Sequence, residues 1–139
     1  MRRETLLPVK AVLSELDELS LNRRGLAFSI TNTDGGGTNV VIQQFELPAG
    51  FAPQQTSLLL KLPPNFPDAA PDMFWVNPHV KLTSTNAVPV NADQFEIHTD
   101  VQQWQRFSRH LKSPWRPGID DLDSWLATIM RSFESDVGL

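Results

Sequence analysis

The stretch Leu62 to Trp75, LPPNFPDAAPDMFW, carries Pro63, Pro64, Pro67 and Pro71 and then turns to Phe74 and Trp75. Proline fixes φ near about −65° and has no amide proton, so neither a helix interior nor a central strand can run through such a segment. Before it, TSLLLKL (Thr56 to Leu62) is almost continuously apolar, the pattern of a strand buried on both faces. After it, DMFWV reads as a short further strand. The proline segment is therefore expected to be a rigid corner between two buried strands. It lacks the basic flank of many proline-rich ligands for aromatic grooves.

The rest of the chain fits around that corner. Val9, Val12, Leu13, Leu16 and Leu19 fall on one face of a helix, with Pro8 suited to its first turn and Gly25 to its exit. LAFSITNT turns Leu26, Phe28 and Ile30 to one side, as a half-buried strand does. NVVIQQFEL follows as a second strand, and Asp34 to Gly37 between them read as a hairpin turn. The glycine triplet there is not a phosphate loop: no Lys-Ser or Lys-Thr follows and no helix opens behind it. Residues 77 to 99 are irregular, with short strands expected around HVKL and FEIHT. In VQQWQRFSRHL, Val101, Trp104, Phe107 (or Ser108) and Leu111 lie at helical spacing, which predicts a turn or two of helix. Leu122, Trp125, Leu126, Ile129, Met130 and Phe133 form a strong amphipathic stripe, the C-terminal helix, with Asp120 as expected N-cap and Asp123 three residues on. The sum is one α+β domain over 1–139: an N-terminal helix, a four-stranded antiparallel meander, an irregular middle and a C-terminal helix.

Composition excludes several functions. The formal charge is −4, against the clustered lysine and arginine that sequence-independent nucleic-acid binding requires. No apolar run reaches the roughly 18 residues of a membrane span. Glu15, Asp17 and Glu18 interrupt the N-terminal segment, so it does not read as a signal peptide, and a cytoplasmic location is expected. The 139 residues contain no cysteine, which removes disulfides, cysteine zinc sites and thiolate nucleophiles together. His79, His98 and His110 stand 19 and 12 residues apart and match no local zinc-ligand pattern, so neither a metal nor another cofactor is expected.

A strand, a corner with FP and AP, a fourth strand, an NPH element and a late WRPG before an amphipathic helix together resemble the ubiquitin-conjugating (UBC) fold. LPPNFPDAAPDMFW, WQRFSRH and WRPG in this order look most like its bacterial branch, prokaryotic ubiquitin-conjugating-like family E, over about residues 20 to 135. The resemblance implies a UBC-like fold and partners from a modification system: a ubiquitin-like protein, an activating-enzyme-like protein and a JAB-type peptidase. In that family a cysteine shortly before the late tryptophan carries the modifier as a thioester. Here the interval before Trp115 reads WQRFSRHLKSP and has none, and NPHV shuffles the family's His-Pro-Asn. The expected role is thus a cysteine-less binding or adaptor component. The alternative is a transferase or hydrolase using His110 or Ser108 in place of the thiol.

Ser108 with His110 suits a nucleophile and base, although no acid lies nearby in sequence to orient the histidine. His110 alone suits an acid–base or nucleophilic role, because imidazole changes charge near neutral pH. Arg106 and Arg109 are candidates to receive a carboxylate such as a modifier's C-terminus. Among the tryptophans, which by bulk belong in the core, Trp104 has the polar neighbours of a binding anchor. In the family the proline corner, with Phe66, lies on the surface that meets ligases.

Overall fold

A computed structural model describes residues 13–33, 35–99, 102–111 and 113–139. The elements are α1 (Glu15–Arg23), β1 (Ala27–Asn32), β2 (Thr38–Glu46), β3 (Phe51–Ala52), β4 (Gln55–Leu62), β5 (Phe74–Asn77), β6 (Lys81–Leu82), β7 (Gln94–His98), β8 (Gln102–Phe107) and α2 (Leu122–Asp136). Six strands form one antiparallel sheet in the order β1-β2-β4-β5-β8-β7, while β3 and β6 pair separately. The expected four-strand meander is present as β1-β2-β4-β5, and the β7–β8 hairpin extends it.

The corner sits where proline chemistry puts it. β4 ends at Leu62 and β5 begins at Phe74. β4 lies between β2 and β5, and Leu58, Leu59 and Leu60 are all fully buried. Leu58, Leu60 and Leu62 face the main core. Leu59 faces the other way, into a small second cluster with Trp75 and Trp104. The sheet is covered on both faces here, so β4 reads as a continuous apolar run.

That second cluster corrects the helix expected in VQQWQRFSRHL. Residues 102–107 are strand β8, and Val101 lies outside the described residues. Trp104 and Phe107 are both buried but in opposite clusters, so two apolar residues three apart look helical while belonging to two faces of one strand.

Helix α1 is set by Ser14, whose hydroxyl accepts from Asp17 N at 3.1 Å. It ends in a left-handed Gly25 (φ 72), where Leu26 N donates to Leu21 O and Gly25 N to Asn22 O. Its buried line is Leu13, Asp17 and Leu21, one residue every four. Leu16 and Leu19, expected inside, are exposed, and Val9 and Val12 lie outside the described residues. Leu26, just before β1, and Phe28 within it pack against the core, but Ile30 is exposed because β1 is the sheet's edge. Of the expected hairpin turn, Asp34 lies outside the described residues; around it Thr33 N donates to Gly37 O at 2.9 Å and Gly36 takes φ 88.

Helix α2 lies over the core face. Leu122, Trp125, Leu126, Ile129 and Phe133 are buried, as the stripe predicts. Its cap is Asp121 rather than Asp120: Asp121 accepts from Ser124 N at 3.2 Å, and the Ser124 hydroxyl accepts from Asp121 N at 2.9 Å. Asp120 instead pairs with Arg116. Asp123 ties α2 to α1, accepting from Ser20 Oγ and from Arg24 at 2.9 Å.

Candidate functional site

After β8 the chain leaves the sheet and crosses beside α2 as a strap, described over residues 108–111 and 113–116. Strap and helix enclose a cleft of about 1060 Å³. Two side-chain anchors hold its walls. Arg109 donates to Ser132 Oγ at 2.7 Å and Asp136 Oδ2 at 3.1 Å on α2, and to Val90 O at 2.6 Å. Burial pushes the Asp136 carboxyl up, opposed by the Arg109 guanidinium. At the far end, Trp115 packs on Phe66 with centroids 6.1 Å apart and donates its indole N–H to Pro67 O at 2.8 Å. The proline corner and the WRPG element, far apart in sequence, thus clasp each other.

Arg106 lies on the sheet face away from α2, outside the cleft lining. It donates to Glu96 Oε2 at 2.6 Å and, through Nε, to Ser108 Oγ at 3.0 Å. Glu96 is a hub: its Oε1 also accepts from Trp75 Nε1 at 2.9 Å and meets His98 Nε2 at 3.0 Å. Hydrogen bonds from His98 and Trp75, with the Arg106 charge, hold its carboxyl below the usual range.

His110 meets an acid from the corner. Its Nδ1 lies 2.7 Å from Asp72 Oδ1. Asp72 follows the buried Pro71 and precedes Met73, which takes a left-handed φ of 61 as the chain turns into β5. A carboxylate can only accept, so Nδ1 carries a proton, and in the neutral ring the lone pair is then on Nε2. His110 is 71% exposed at its side chain, and its Nε2 has no hydrogen bond among the described residues.

The expected site residues thus separate. Ser108 and His110 line the same cleft, but no hydrogen bond joins them; the serine belongs to Arg106 and the histidine to Asp72. Arg106 and Arg109, expected to receive a partner's carboxylate, already hold Glu96 and Asp136 of this chain. Trp104 is 1% exposed and donates its N–H to His98 O and Thr99 Oγ1, so its ring is core rather than anchor. Phe66 is 4% exposed, so the corner presents Pro64 and Pro67 outward and keeps the phenyl ring inside. His79 packs edge-on to Phe95 and His98 sits on Glu96. Among the described residues no three His, Cys, Asp or Glu side chains gather into a metal-binding group. No helix among them is long and apolar enough to cross a membrane. Sequence reasoning missed Asp72 and Glu96, which reach their partners only through the folded corner and the β7–β8 hairpin.

The chain matches the family model of Prokaryotic E2 family E over residues 13–136. No curated protein and no solved structure matches it.

Proposed function

The chain belongs to prokaryotic E2 family E, and from that premise we propose that it is a cysteine-less binding component of a ubiquitin-like modification system. The observation that carries this reading is the absence of cysteine from all 139 residues of a chain matched by the family over 13–136. Without a thiol the chain cannot hold a modifier as a thioester of its own. What it retains is the scaffold: the corner, the strap and the cleft against α2. Its partners in this reading are a ubiquitin-like protein and an activating-enzyme-like protein, with a JAB-type peptidase of the same system.

The test is a calorimetric titration of the protein against the ubiquitin-like protein and the activating-enzyme homologue encoded beside its gene. Saturable binding to either is expected; binding to neither overturns the reading. A second reading, in which the chain has chemistry of its own, is favoured by the Asp72–His110 contact.

A further inference from the structure

The six-stranded sheet ends in two edges, β1 and β7. β7 carries Glu96 and His98. β1, AFSITN, carries no charge and no proline, and its register with β2 runs unbroken from Ala27 to Asn32. Among the described residues no strand pairs with its far side. Proteins blunt such edges with lysine, proline or a bulge, because a bare edge is a template for another strand. None of these devices is present in β1.

The free backbone groups can be named. Residues of an antiparallel ladder alternate between bonding their neighbour and pointing away from it. Thr33 N donates to Gly37 O, in step with the β1–β2 register. Thr31, Ser29 and Ala27 therefore bond β2, while Asn32, Ile30 and Phe28 turn their N–H and C=O groups to the open side. A strand is the occupant that offers donors and acceptors at this two-residue interval. The side chains select which strand. Phe28 and Ile30 stand opposite Ile42 and Val40 on the core face, and Ile30 is 39% exposed. An antiparallel copy of β1 with its two-fold axis at Ser29 sets Phe28 against the partner's Ile30, once on each side of the axis. Aromatic against β-branched is a favourable cross-strand pair. On the other face Ala27 meets the partner's Thr31, and Ser29 meets its own copy. The same register joins the outward backbone groups of Phe28 to those of the partner's Ile30. Each chain carries a formal charge of −4, and this edge lets two copies meet with no like charges opposed.

We propose that the protein self-associates through β1 into a symmetric dimer, in which the two six-stranded sheets become one continuous sheet. Antiparallel pairing sets the two-fold axis perpendicular to the sheet. Both α2 helices, and with them both clefts, then lie on one side, so the dimer presents two clefts to a single partner. The contact is one strand wide, smaller than a standard interface, and a dissociation constant of about 10–100 μM is expected.

The experiment takes the full chain through sedimentation equilibrium from about 5 to about 500 μM, where mass action should show a reversible monomer–dimer equilibrium. Ile30→Lys removes both Phe28 pairs and should weaken the dimer about tenfold. The chain has no cysteine, so Ser29→Cys supplies its sole thiol. Two such residues on the axis stand about 4.5 Å apart at Cα, within disulfide reach, and oxidation should cross-link the dimer. Thr31→Cys lies about 13 Å from its copy in this register and should stay uncross-linked. Ser29, Ile30 and Thr31 are exposed, so matched thermal unfolding shows that the variants remain folded. A monomer throughout the range overturns the proposal. If its Phe28, Ile30 and Asn32 amides also resist hydrogen exchange, another segment of the same chain covers the edge. A dimer indifferent to Ile30→Lys, or cross-linked through Thr31→Cys in place of Ser29→Cys, overturns it as well.

Discussion

Gln105 pairs with Val80 as a neighbouring strand would: its side-chain oxygen accepts from Val80 N at 2.8 Å and its Nε2 donates to Val80 O at 3.2 Å. The same nitrogen donates to Ala92 O at 2.9 Å, and the residue is fully buried. One amide therefore fastens both ends of the 80–92 loop, which delivers Val90 and Asn91 to the cleft. Gln105→Leu keeps the bulk and orphans three buried backbone groups. It is expected to cost about 3 kcal/mol or more in a urea unfolding titration.

Phe133 touches four other rings, Phe45, Phe51, Phe74 and Phe107, with centroids between 5.3 and 6.4 Å. It joins α2 to four separate parts of the fold. Phe133→Ala should cost about 3–5 kcal/mol in the same titration.

Glu96 gives a pH signature. Its carboxyl is held below its usual 4.5, so its contribution is fully present above that value and is lost as pH falls through the lower folded value. Glu96→Gln is therefore expected to be less stable than wild type at neutral pH. The gap should close in acid, below pH 4.5. Unfolding curves of both proteins from pH 7 to pH 2.5 check this; a gap that stays constant contradicts it.

The helix cap distinguishes two neighbouring aspartates. Asp121→Ala should cost about 1 kcal/mol, because it removes the acceptor for Ser124 N. Asp120→Ala should cost less, since that carboxylate pairs mainly with the exposed Arg116 and its backbone N–H. Thermal unfolding of the pair decides the order.

The Asp72–His110 contact fixes a tautomer, which can be read without any substrate. Nitrogen-15 chemical shifts of neutral His110 are expected to place its proton on Nδ1 in the native protein. Asp72→Ala should abolish that preference.

The layers of this fold were legible where one cause dominates. Proline placed the corner, the run Leu58 to Leu60 placed the central strand, and the 3.6-residue stripe placed α2. Reading failed where two causes overlap. Trp104 and Phe107 imitate a helix because the sheet has cores on both sides. Leu16 and Leu19 look inward by period, yet the line set by the Ser14 cap buries Asp17 instead. The site was half legible. His110 and Ser108 stood out by residue type, but their partners lie in other elements: Asp72 is 38 residues from His110. Such long-range contacts exist only once the corner and hairpin have folded, and local pattern carries no trace of them.

The strap is fastened at Arg109 and again at Trp115, by side chains that reach α2 and the corner. It behaves as a bridge on two abutments. His110 stands between the two abutments and meets Asp72 of the corner at 2.7 Å, so a change at either abutment is felt at that contact.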